Sequence, residues 1–146
     1  MGDGPDRQRI EQSIARHALG DRIHLTGALN QTAGRANFAH ADIFVLPSLA
    51  EGIPVVLMEA MSSGLPCVST PVNGIPELIE HNHTGLLATP GDVDSLAAQL
   101  RRLIEQPILR RTLAEAANTK VRADFDLQRN VAHLSTLFSE FASQKA

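Results

Sequence analysis

Glu51 and Glu59 stand eight positions apart in the stretch PSLAEGIPVVLMEAMSSGLPCVST, residues 47–70. Pro54, between them, opens a helical segment, which puts Glu59 about 7.5 Å along the axis at 1.5 Å per residue. Two carboxylates so spaced cannot both face one phosphate without repulsion. They suit the hydroxyls of two sugars on either side of a diphosphate. The start of the helix supplies the complement, because its first N–H groups lack intrahelical acceptors and carry partial positive charge that favours phosphate. Pro54 offers no N–H, so Gly52, Ile53, Val55 and Val56 are the donors, and Gly52 lets the backbone come close to a ligand. The same residues also read without a ligand, with Glu51 capping a helix N-terminus and Glu59 solvated on its surface.

The elements that hold these groups follow from punctuation. The apolar run Ile43-Phe44-Val45-Leu46 is stopped by Pro47, a helix covers 54–63, Gly64 ends it, and a second apolar run covers 66–70. Continuous apolar runs of this length are strands buried on both faces of a parallel sheet. Upstream, the turn Gly2-Asp3-Gly4-Pro5 opens a helix over 6–19, with Ile10, Ile14 and Leu19 on its apolar face and Gly20 as its stop. A Gly-rich turn of this kind normally follows a strand, so a strand is expected upstream of Met1. A strand over 22–27 and a helix over 33–41 come next, joined by the polar loop Asn30-Gln31-Thr32.

Downstream, a short helix over 75–80 and a strand over 84–88 flank the polar turn at His81. Three helices complete the chain, over 92–105, 107–123 and 126–142. Val93, Leu96, Leu100, Leu103 and Ile104 are expected to face inward from the first. Val131, Leu134, Leu137, Phe138 and Phe141 give the last an apolar stripe, read as core or interdomain surface. Short loops between alternating strands and helices indicate right-handed βαβ units. The expected architecture is one α/β, Rossmann-like three-layer domain over 1–146, with strands and helices alternating to about residue 90 and a helical tail from 92. Ligands bind outside the carboxyl ends of the strands in such sheets. The Gly2-Asp3-Gly4 turn, the Gly27-Ala28-Leu29 turn and the Glu51-Gly52-Ile53 loop are expected to share that edge.

Composition narrows the function. A 146-residue chain with 43% hydrophobic residues is large enough to bury a core. A net charge of −3, with scattered basic residues and Phe as the only aromatic type, gives neither the basic patch nor the stacking platform of a nucleic-acid binder. A single cysteine, Cys67, excludes an internal disulfide and fits a reducing compartment. No apolar run approaches a membrane span and no signal-peptide core is present, so a cytoplasmic domain is expected.

Other chemistry-bearing patterns have simpler readings. Asp92-Val93-Asp94 and Asp124-Phe125-Asp126 spell D-x-D, a metal motif elsewhere, but Asp92 and Asp126 stand where helix N-caps belong. His81-Asn82-His83 reads as a solvated turn, and the remaining histidines lack ligand-spaced neighbours. Cys67 sits in an apolar strand as a small buried hydrophobe. Ser48 and Ser69 lack the His/Asp pattern of a nucleophile. No metal site is expected.

With these residues in place, the chain resembles the C-terminal domain of retaining glycosyltransferases of family 4, which have the GT-B architecture. Glu51 and Glu59 fall on the two glutamates of that family's E-x7-E segment. Gly2-Asp3-Gly4-Pro5, Arg22-Ile23-His24-Leu25-Thr26-Gly27, Ala41-Asp42-Ile43-Phe44-Val45-Leu46-Pro47-Ser48, Asn73-Gly74-Ile75-Pro76-Glu77-Leu78-Ile79 and Thr84-Gly85-Leu86-Leu87 continue the likeness in order along nearly the whole chain. The resemblance implies a hexosyltransferase-type enzyme of polysaccharide or glycolipid biosynthesis. It would transfer sugar from a nucleoside diphosphate sugar with retention of configuration, without metal or other cofactor and without a dedicated protein nucleophile. It implies that Glu51, the catalytic member, meets hydroxyls of the transferred sugar, and that Glu59 binds the nucleotide ribose. Gly52, Ile53, Val55 and Val56 correspond to the diphosphate cradle, and Gly2, Asp3, Gly4, Gly27 and Leu29 to walls near diphosphate and base.

Two departures qualify what the resemblance implies. The family's Arg and Lys that neutralise the diphosphate, and its whole N-terminal acceptor domain, would precede Gly2. Asn73 stands where a glycine is common. The expectation is therefore a donor-binding half that binds nucleotide sugar weakly and transfers nothing alone. Its partner is the N-terminal domain, and the full enzyme sits peripherally at the inner face of the membrane. A non-catalytic nucleotide- or partner-binding domain is the alternative, and an isomerase or phosphorylase of the same architecture is a further one that the E-x7-E segment disfavours.

Overall fold

The computed structural model describes residues 3–143. The chain divides after His40 into two compact units. In the first, α1 (Arg7–Arg16) follows the turn in which the Arg7 N–H donates to the Gly4 carbonyl at 3.1 Å. α1 ends sooner than Gly20 suggests. His17 is its C-cap, and Ala18 takes the left-handed conformation at φ 52°. The N–H of Ala18 donates to Ala15 O at 3.1 Å and that of Leu19 to Ile14 O at 3.0 Å. This is the Schellman pattern, closed here by alanine in place of glycine.

The strand expected over 22–27 is not formed. The Arg22 and Ile23 N–H groups both donate to Leu19 O at 3.0 Å, which folds the start of the segment into a turn, and 23–27 carries no ladder bonds among the described residues. An extended segment becomes a strand only through a partner. α2 (Gln31–Ala39) starts earlier than expected because Asn30, read as loop, is its N-cap, with its side chain accepting from Ala33 N at 2.9 Å.

The second unit is the α/β Rossmann-like part. β1 (Phe44–Leu46), α3 (Val55–Ser62), β2 (Cys67–Ser69), α4 (Ile75–Leu78) and β3 (Leu86–Leu87) alternate, then α5 (Val93–Glu105), α6 (Pro107–Asp124) and α7 (Leu127–Ser143) follow. The three strands pair in parallel in the order β1-β2-β3, with Val45 opposite Val68 and Val68 opposite Leu86. Val68, Leu86, Leu103 and Leu113 form a buried cluster, with Ile43, Val45, Leu96, Leu100 and Leu109 packed around it. α3 packs on α6 through its buried face of Leu57, Ala60 and Met61. The amide of Asn118 on α6 donates to Ser62 O at 2.7 Å, pinning one helix to the end of the other.

Two inward assignments are corrected. Val93 is 78% and Ile104 62% exposed. At 100° per residue, Leu96, Leu100 and Leu103 fall within an arc of about 60° facing the sheet, whereas Val93 and Ile104 lie on its margin in the first and last turns. The α7 stripe is not core either: every side chain over 127–141 is exposed. Among the described residues no helix is long and apolar enough to cross a membrane.

Candidate functional site

The carboxyl ends of β1 and β2 carry the loop that sequence singled out. Pro47 ends β1, and the chain runs through 47–54 to α3, whose N-cap is Pro54 in an extended conformation. Pro54 is buried, so the helix start is anchored from inside. The Leu57 and Met58 N–H groups return to Pro54 O at 3.0 and 3.3 Å. Those of Gly52, Ile53, Val55 and Val56 find no acceptor among the described residues. Four open donors thus cluster at one helix N-terminus, where partial positive charge collects. A side chain added at Gly52 would meet nothing within 4 Å, so the protein itself does not require that glycine.

Glu51 is half-buried, and its Oε1 accepts from Ser48 Oγ at 2.8 Å. Glu59, also half-buried, lies in α3, where its backbone carbonyl takes the hydroxyls of Ser62 and Ser63 at 2.9 and 2.8 Å. Glu51, Gly52, Ile53, Val55, Val56 and Glu59 thus belong to the second unit. A cavity of about 270 Å³ lies at the same strand ends, lined by Pro47, Thr70, Ala88 and Leu96 among others. A larger one, about 630 Å³, opens at the opposite ends, near Asp42 and Pro66, and neither cavity is lined by any of the expected site residues.

The remaining assignments fall in the first unit, apart from Gly2, which lies outside the described residues. Asp3 and Gly4 line a cavity of about 310 Å³ with Arg7, Ile10 and Leu25. Gly27 has φ 68°, and a Cβ there would lie 3.7 Å from Arg7 Nη1. Leu29 is half-buried. Arg7 is a cation that sequence reasoning passed over while seeking basic residues further upstream. Its guanidinium pairs with Glu11 at 2.9 Å and Asp3 at 3.8 Å. The carboxylates four residues before and after Arg7 were the available signal.

The other patterns resolve as structure. Asp92 accepts from Ser95 N at 2.9 Å and Asp126 from Arg129 N at 2.8 Å, both as N-caps. His81 Nδ1 accepts from Leu87 N at 2.9 Å in an exposed turn. Among the described residues no three His, Cys, Asp or Glu come together to hold a metal ion. Cys67 is buried, and loss of solvation pushes its thiol up to about 12, so it is no nucleophile near neutral pH.

The pattern of the family described as Glycosyl transferases group 1 matches residues 1–120. The amylovoran biosynthesis glycosyltransferase AmsK of Erwinia amylovora is 43% identical over 132 residues, covering 86% of this chain and 32% of that protein. The chain thus spans about a third of that relative's length. Sucrose-phosphate synthase from Thermosynechococcus elongatus has the same fold with a TM-score of 0.86 at 28% identity, over 98% of this chain and 37% of its own. Anabaena HepE, solved in complex with UDP, gives 0.84 at 28% identity, over 91% of this chain and 36% of its own.

Proposed function

The chain belongs to the glycosyl transferases group 1 family, and from that premise we propose that it is the donor-binding part of a nucleotide-sugar glycosyltransferase. One observation carries the reading: four open N–H groups, on Gly52, Ile53, Val55 and Val56, between two half-buried glutamates. The four amides hold the diphosphate. Glu51 takes hydroxyls of the transferred sugar, and Glu59 those of the ribose, as in the E-x7-E segment of retaining enzymes of family 4. HepE, a relative in fold, was solved with UDP, which supports a uridine nucleotide as first probe.

In the reaction, the bond from the anomeric carbon to the diphosphate oxygen breaks, and the acceptor oxygen bonds to the same face of that carbon. Charge develops on the leaving diphosphate. Preorganised amides aimed there act more strongly in the transition state than in the ground state. The domain contributes no metal and no protein nucleophile. The acceptor site, the remaining cations and a peripheral seat at the cytoplasmic face of the membrane belong to an N-terminal domain and the full enzyme. This chain alone binds donor weakly and transfers no sugar. The exposed stripe on α7 favours a second reading, a domain that binds a partner without catalysis.

Titration with uridine, guanosine and adenosine diphosphates, read by NMR and thermal unfolding, tests the proposal. One of them should stabilise the chain by about 2.7 kcal/mol at a hundredfold excess over its dissociation constant. The gain should vanish in Glu59→Ala. Absence of any shift favours the partner-binding reading, and sugar transfer by the 146-residue chain itself overturns the donor-only assignment.

A further inference from the structure

We infer that Ser48, Thr70 and Gly74 are positioning residues that hold the Glu51–Ile53 loop in its ligand-ready shape, a role that rests on the donor-site reading above. A glutamate on a loop has three side-chain torsions, and fixing them costs rotamer freedom. Glu51 has a partner that supplies the fixing. Ser48 Oγ donates to Glu51 Oε1 at 2.8 Å, a charge-assisted bond that leaves the second oxygen open to a sugar hydroxyl.

Ser48 is itself tied down. Thr70 Oγ1, at the end of β2, donates to the Ser48 carbonyl, and the adjacent Ser69 Oγ donates to Leu46 O at 2.7 Å. Thr70 is 2% and Ser69 0% exposed, and their hydroxyls are committed to the exit loop and the last residue of the neighbouring strand respectively. The relay runs from a buried threonine, through a backbone carbonyl and a serine hydroxyl, to the carboxylate.

Gly74 fixes the other half of the loop. A Cβ at this residue would stand 2.5 Å from Gly52 O, 2.7 Å from Ile53 Cγ1 and 2.9 Å from Gly52 C. No side chain fits there without moving the Gly52–Ile53 peptide, whose N–H is one of the four open donors. Asn73, at φ 43°, turns the chain so that Gly74 reaches this contact. The relay therefore sets the sugar ligand, and the glycine sets the amide ligands.

The two devices predict different losses, with UDP and UDP-glucose as probes. Ser48→Ala should weaken UDP-glucose about tenfold and leave UDP unchanged, because Glu51 faces the sugar. Gly74→Ala should weaken both probes. Ser48→Thr keeps the hydroxyl and should restore UDP-glucose binding, and Ser48→Ala should add nothing in a Glu51→Ala background, where no acceptor is left for the hydroxyl. A measurement without ligand separates this inference from the donor-site reading: three-bond carbon couplings of Glu51 should report one rotamer in the parent and averaging in Ser48→Ala. Unchanged couplings, or equal losses for UDP and UDP-glucose in Ser48→Ala, overturn the relay whether or not the donor reading stands. If the parent binds neither probe, the donor reading fails and the couplings alone decide whether Ser48 holds Glu51.

Discussion

In residues 41–124, Leu57, Met61, Val68, Leu86, Leu103 and Leu113 are 0–1% exposed, whereas in residues 3–40 Phe38 is the one buried hydrophobic side chain of the described set. The two stretches are punctuated by similar turns and caps, yet they hold their shapes differently. In the first, apolar burial dominates, and the Glu51 loop hangs from strands that cannot shift without opening a core. In the second, local bonds dominate: the Schellman closure at Ala18, the Asn30 cap and the Arg7 ion pairs. Such bonds each contribute about 0.5–1.5 kcal/mol. Ligand groups that need fixed geometry are best placed on the first kind of support.

The largest test of this contrast removes core volume. Leu113→Ala should lower stability by about 2–5 kcal/mol, while Phe138→Ser, at a residue 72% exposed on α7, should change it by less than about 0.5 kcal/mol. Urea unfolding of both variants would show it, and equal losses would mean that α7 belongs to the core.

Alkaline titration comes next. Cys67 is buried with its thiol raised from 9.0 to about 12, so the folded chain retains a proton that the unfolded chain loses. Its contribution is complete below pH 9 and declines above it by about 1.4 kcal/mol per pH unit, up to the folded value. The sequence has no tyrosine to obscure this range. Stability measured at pH 8, 10 and 11 should therefore fall less steeply in Cys67→Ala than in the parent.

Thr84→Val addresses a buried polar bond in the same core. The Thr84 hydroxyl donates to Leu78 O at 3.1 Å and accepts from Glu80 N at 2.9 Å. Its loss leaves both unsatisfied and should cost about 2 kcal/mol in thermal unfolding. The smallest change lies on the other side of the comparison. Ala18→Gly relieves a left-handed alanine, a strain of about 1 kcal/mol, less the extra freedom of glycine in the unfolded chain. A net gain of about 0.5 kcal/mol should appear as slower hydrogen exchange in α1 alone. Slower exchange throughout 41–124 would show that the two stretches are not independent.

These differences also mark what a sequence can reveal. The βαβ order was legible because apolar runs, Pro47, Pro54 and Gly64 act locally on the backbone. The 22–27 strand was misread because Ile23 and Leu25 alternate as in a strand, while the deciding bonds go back to Leu19 O. Glu51 and Glu59 are legible by type and spacing, whereas Asn30 stands among polar residues that read as a loop as readily as a cap. Ser48 was dismissed for lacking nucleophile partners, since nothing nearby in sequence shows that Thr70 and Gly74 reach back to its loop. Arg7 is legible in part, through Asp3 and Glu11 four residues to either side, but its approach to Gly27 exists only after folding.

The Thr70–Ser48 bond spans 22 residues, and that separation sets an order of assembly. A chain made from its N-terminus at about 5–20 residues per second exposes Glu51 for on the order of a second before its latch is synthesised. During that interval the carboxylate has only Ser48, three residues back, as a partner, and that serine is not yet tied to β2. The site comes into being when β2 returns alongside β1, so it is a product of the crossover and arrives after the motif that announces it.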